Sequence, residues 1–125
     1  MKDILSRPDV EFLVDSFYDQ ATIHPEISRY FTDIVAQHFE IHKARICDFW
    51  DDLIFHGNKY KGNPMLVHIK MHAEKNLTPI AFQTWLALWE QTVLKNFEGT
   101  NAFIAISKAK QIGMLMQFKI EKSSS

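Results

Sequence analysis

A single cysteine, Cys47, is all the thiol chemistry this 125-residue chain carries, so no disulfide can form within it. The opening segment MKDILSRPDVEF places acidic residues where a secretory signal needs an unbroken apolar core, which leads to the expectation of a reducing, cytoplasmic setting. No run approaches the roughly 18 apolar residues of a membrane span, so no membrane association is expected. Charge of one sign is also missing: 14 Lys plus Arg stand against 15 Asp plus Glu, for a formal net charge of -1. Without a dense basic stretch to track a phosphate backbone, nucleic acid is not an expected partner. There is no glycine-rich phosphate loop, no internal repeat and no alternation of the strand type.

What the chain does have is large flat side chains. It is 46% hydrophobic and 13% aromatic, with ten Phe and three Trp. That suits one domain able to bury a sizeable share of its surface, expected over residues 1–120 with a disordered tail at 121–125. Val10, Leu13, Val14, Phe17 and Ala21 recur at helical spacing and predict a helix over 8–22, capped by Ser6. A short second helix is predicted from Pro25 to just past Tyr30 and Phe31. His42, Ile46, Phe49 and Leu53 mark one face of a helix over 37–55, with Trp50 beside it and Lys43, Asp48 and Asp51 turned outward. After a loop at 56–64 comes a short helical piece. Thr78 and Pro79 then read as a cap and first turn before the stripe Phe82, Trp85, Leu86, Trp89 and Val93. A last helix over 101–120 shows Phe103, Ala105, Ala109, Ile112 and Met116. The fold class is all-α.

The stretch YKGNPMLVHIKMH, residues 60–72, sets two histidines four apart among Met65, Leu66, Val67, Ile69 and Met71. A neutral imidazole holds a lone pair that must meet a proton or a metal, so such placement invites a chemical explanation. His38 with His42 and His68 with His72 are both i, i+4 pairs able to share one metal. No histidine has a glutamate three residues before it, as a di-iron bundle would, and HFEIH has its glutamate one place too late for a zincin. Cys47 sits in no nucleophile motif and is expected to be an inert core thiol. A lone histidine on an apolar face is most often a satisfied core residue, and an aromatic stripe is most often core.

Taken together, FY at 17–18, HPEISRYF at 24–31, HKARICDFWDDLI at 42–54, YKGNPM at 60–65, His68, and FQTWLALWEQTV at 82–93 resemble the third group of truncated haemoglobins. The resemblance runs from about Val10 to Met116. A lone Gly57, where other groups have paired glycines, suits the third group; Ala81-Phe82 departs from its usual His-Phe pair. The resemblance implies a two-over-two helical sandwich around one haem b. It assigns the proximal iron ligand to His68, three residues after Met65 in the Pro-Met pair, and leaves His72 peripheral. It places Tyr18, His42 and Trp85 on the distal side and Phe31 against the haem plane. Ile46, Phe49 and Met65 are expected in the cavity wall, with Arg45 and Tyr60 toward the haem propionates. Reversible binding of dioxygen, nitric oxide and carbon monoxide is the implied function, with an unidentified reductase as partner and a monomer as the expected state. Dioxygen-linked nitric oxide chemistry ranks ahead of a peroxidase-like role, and both rank ahead of storage. From other classes, a helical interaction module and a non-haem metal site on a histidine pair remain as alternatives.

Overall fold

The computed structural model describes residues 1–32 and 39–124. Among them lie five α-helices: α1 (Arg7–Ala21), α2 (Phe39–Phe55), α3 (Pro64–Lys75), α4 (Pro79–Asn96) and α5 (Thr100–Ser124). A 3-10 turn, Ser28–Tyr30, follows α1. No strand occurs among the described residues, and no helix of theirs is long and apolar enough to cross a membrane.

Helices α3 and α4 start for legible local reasons. Asn63 and Thr78 precede prolines, and their side-chain oxygens accept from the backbone N–H groups of Leu66 and Ala81, both at 3.1 Å. Ser6 is the N-cap residue of α1 but not by its hydroxyl: its carbonyl takes the N–H groups of Asp9 and Val10. The start of α5 is capped from far away, since the Asp3 carboxylate accepts from Asn101 and Ala102, each at 2.9 Å. Those backbone bonds outweigh desolvation and hold Asp3 below the usual carboxylate range. The segment predicted as a helix from Pro25 is tightened into the 3-10 turn, tied down where Tyr30 Oη donates to the Asn76 carbonyl at 3.0 Å.

Helix α1 packs on α2 and α4, while α5 packs on α4, α2 and α3. Val10, Leu13, Val14 and Phe17 of α1 meet Trp89 and Val93 of α4, and small Ala102, Ala105 and Ala109 let α5 join the same core. Phe103, expected on the buried stripe, is 69% exposed. Two residues advance a helix by about 200°, so a side chain two before Ala105 points away from the face that Ala105 buries. The helix of α5 also continues to Ser124, past the expected end at 120.

Asp51 corrects the reading of α2 as well. It is not turned outward but 2% exposed, beside Cys47, Trp50 and Ile54 on the core face. Its Oδ2 accepts from Arg7 Nη1 at 2.6 Å and from Lys59 Nζ at 3.1 Å. Burial works against the Arg7 charge, but the bonds to Asp51 and Asp48 more than offset it and raise its pKa further. One ionic cluster thereby ties α1, α2 and the 56–63 loop together.

Candidate functional site

Helix α2 carries two stripes. Cys47, Trp50, Asp51 and Ile54 are buried in the core, while His42, Ile46 and Phe49, on the adjoining face, are only half-buried. The second stripe is open because it borders a cavity of about 710 Å³. Helix α3 forms the opposite wall with Val67, His68 and Met71, and none of its residues is buried. Met65 and Ile69 are half-buried against the Phe82, Met116 and Ile120 cluster, while Val67, His68 and Met71 face the cavity. Volume and apolar lining match those of small-molecule and cofactor sites.

His68 has one defined orientation. Its Nδ1 lies 2.7 Å from the Pro64 carbonyl oxygen, a contact that requires an Nδ1–H donor, so the lone pair of the neutral ring resides on Nε2. Protein atoms crowd the ring even though solvent can reach it through the cavity. That desolvation lowers its pKa below 6.5, against the opposing pull of the Pro64 bond. His42 is lowered too, by desolvation first, then by the positive charge of Arg45 and by repulsion from His68 whenever that ring is protonated.

Tyr18, 4% exposed, sets its ring edge-on to His42 with centroids 6.1 Å apart. Burial raises its pKa above the ordinary phenol range, so the hydroxyl stays protonated. Trp85 lines the same cavity, packed edge-on to Phe17 at 6.3 Å. Among the described residues, no hydrogen bond engages Tyr18 Oη, the His42 ring nitrogens or Trp85 Nε1.

At the mouth lie Arg45, Lys59, Tyr60 and Lys61. The loop that carries the last three closes on Asp52, whose carboxylate accepts from the N–H groups of Lys59 and Tyr60 at 2.8 to 3.1 Å. Just past the end of α2, His56 lies in the left-handed region, and Gly57 follows where a Cβ would come within 2.7 Å of Asp52 Oδ1. Tyr60 then lays its ring edge-on to Phe49 at 5.4 Å.

The crystal structure of a group III truncated haemoglobin from Campylobacter jejuni matches this chain with a TM-score of 0.80. The match covers 96% of this chain and 95% of that one at 20% sequence identity. The fold is that of a truncated globin. No protein-family model and no curated protein sequence matches the chain.

Within this truncated-globin fold, nine of the ten expected site residues meet at one cavity. Tyr18, Phe31, His42, Arg45, Ile46, Phe49, Tyr60, His68 and Trp85 all line it. Met65 does not. It packs against the Phe82, Met116 and Ile120 cluster, of which Phe82 and Met116 themselves line the cavity. His72, one turn after His68, borders a shallower groove of about 400 Å³ with Asn76, Thr78 and Glu121. Of the companion pair, His38 lies outside the described residues. Among those residues no three His, Cys, Asp or Glu side chains gather as a metal-binding set.

Sequence reading missed Lys59 and Lys61 at the mouth, although a basic residue on each side of Tyr60 was visible in NKYKG. It also missed Val67 and Met71, which share the cavity face of α3 at helical spacing with His68. Cys47 is 1% exposed, and burial pushes its thiol up to about 11.

Proposed function

We propose that this chain is a haem b protein of the truncated-haemoglobin type that binds dioxygen, nitric oxide and carbon monoxide. The observation that carries the reading is the His68 ring: a neutral imidazole in an apolar cavity wall, oriented by its own helix so that Nε2 is left to ligate. The rest of the site fits the same group. A planar apolar macrocycle with two carboxylates suits an apolar cavity whose mouth bears Arg45, Lys59 and Lys61, and Phe31, Ile46 and Phe49 would contact its faces. Met65 stands behind the wall, packed against Phe82 and Met116, which line the cavity.

When bound, haem would supply a ferrous iron that takes a diatomic gas as ligand. The chain's own contribution on the distal side is three hydrogen-bond donors without partners among the described residues. Tyr18 presents an O–H, Trp85 an N–H, and neutral His42 one N–H and one lone pair. Their preorganised dipoles favour a ligand that acquires negative charge, which is dioxygen more than carbon monoxide. The aromatic wall meanwhile keeps bulk water at a distance, which strengthens each of those bonds.

A pocket that retains dioxygen is better suited to consuming it than to releasing it on demand. Oxidation of nitric oxide to nitrate, with a reductase restoring the iron, therefore ranks first, ahead of peroxidase-like chemistry and storage. Titration of the chain with haem tests the binding: it should saturate at one equivalent with an intense Soret band, and a featureless, non-saturating titration would sink the reading. Stopped-flow mixing of the oxygenated protein with nitric oxide tests the ranking. Rapid formation of nitrate and ferric protein is expected, whereas slow conversion beside brisk dye oxidation by hydrogen peroxide would reverse it.

A further inference from the structure

All three tryptophans of the chain, Trp50, Trp85 and Trp89, line the cavity. They are joined by stacked and edge-on rings. Trp85 meets Phe17 at 6.3 Å between centroids, and Phe17 meets Trp89 at 5.4 Å. Trp89 stacks on Trp50 at 4.6 Å with the planes only 20° apart. Beyond it Phe49 lies 5.5 Å from Trp50 and 5.4 Å from Tyr60 at the mouth. Trp89 and Trp50 are the one stacked pair among the described residues, where the other ring pairs are edge-on.

Indole and phenol are the side chains most readily oxidised by one electron, and a parallel overlap of two indoles shares the resulting positive charge. Trp89 Nε1 donates to the Ala105 carbonyl at 3.2 Å, an acceptor that cannot take the proton away. A buried cation is costly, so the pair is a place of transit rather than rest. A resting place needs a group that can lose its proton to water. Tyr18 and Tyr30 are 4% and 5% exposed, and Tyr30 is already bonded to the Asn76 carbonyl. Tyr18 has no acceptor among the described residues. Tyr60 alone of the three tyrosines is half-exposed.

We propose that the cavity wall is an oxidation relay, in which Trp85, Trp89 and Trp50 pass a one-electron oxidising equivalent arising in the cavity through Phe49 to Tyr60. The oxidant, a one-electron acceptor such as the azide radical or a peroxide-derived species, removes one electron from an indole and is itself reduced. The resulting indole radical cation keeps its N–H proton. Tyr60 then supplies an electron to that cation, restoring the neutral indole, while the phenol releases its proton to solvent. A soluble one-electron reductant can refill the Tyr60 radical at the mouth. The proposal stands apart from the haem reading, because the rings and their exposure do not depend on the cofactor.

Pulse radiolysis of the full chain with azide radicals tests it. Indole radical cation absorption should decay into phenoxyl absorption with a first-order rate independent of protein concentration. Tyr60→Phe should lose the phenoxyl signal and lengthen the lifetime of the indole cation. Phe49→Leu, which alters neither redox group, should slow the transfer severalfold at unchanged final yield. Full phenoxyl yield in Tyr60→Phe, an unchanged rate in Phe49→Leu, or a rate proportional to protein concentration would each overturn the relay.

Discussion

The Nδ1–H of His68 donates to the carbonyl of Pro64, 2.7 Å away and one turn earlier on α3. Pro64 itself has no N–H and begins the helix, with Asn63 as its cap, so the sequence NPMLVH builds both the helix start and the acceptor. One local arrangement thus fixes the position, tautomer and ring plane of His68.

Both His68 and His42 are held below the ordinary value of 6.5, chiefly by desolvation, and this sets a pH dependence. In the window below 6.5 the unfolded chain takes up protons that the native rings resist, so the unfolded state binds more protons there. Stability is then fully present above that value and is lost as pH falls through the native pKa values. Urea midpoints of the cofactor-free chain should fall as pH drops from about 7 to about 5, and His42→Gln should flatten the slope. A midpoint that stays level in wild type would contradict the burial of these rings. Asp3 and Asp9, held below 3.8, add their own losses only at lower pH.

Tyr18 and Trp85 should slow the loss of dioxygen. Removing a hydrogen bond of about 1.4 kcal/mol speeds release roughly tenfold. Flash photolysis or stopped-flow replacement on Tyr18→Phe and Trp85→Phe should show that acceleration for dioxygen and a smaller one for carbon monoxide. Release rates equal to wild type would remove the substituted donor from the ligand's surroundings.

The ionic ties between α1 and α2 should differ in strength. Arg7→Met leaves the Asp51 carboxylate in the core with only Lys59 beside it; loss of a partner to a buried charge costs about 3 kcal/mol. Lys43 and Asp15 also join α1 to α2, at 2.9 Å, but Asp15 is 49% exposed. Asp15→Asn should therefore cost less than about 1 kcal/mol. Chemical denaturation of both variants checks the order, and equal losses would mean that burial of Asp51 does not set it.

The parts of the fold that sequence made legible are those with local causes. The stripe from Phe82 to Val93 and the Thr78 cap needed only helical spacing and a proline, and both are present. His42, Ile46 and Phe49 were readable as one face of α2, yet periodicity could not tell that face from the core stripe of Cys47, Trp50 and Ile54 beside it. Both are largely apolar, and Trp50 itself reaches the cavity that the first face borders. Asp51 was misread because its partner, Arg7, lies 44 positions away, and charge in a sequence defaults to solvent. The surroundings of Met65 were hidden for a related reason. Three residues bring it back near the His68 direction on a helical wheel, but the side chain leans to the Phe82 cluster that only tertiary packing supplies.

The most direct measurement compares haem binding by His68→Ala and His72→Ala through the absorption spectra of their ferrous and carbonyl forms. His68→Ala should lose tight haem binding, or hold haem whose histidine-ligated spectrum returns only on adding imidazole. His72→Ala should match wild type, since His72 borders the shallower groove rather than the cavity. A wild-type spectrum from His68→Ala, or loss of haem from His72→Ala alone, would contradict His68 as the iron ligand.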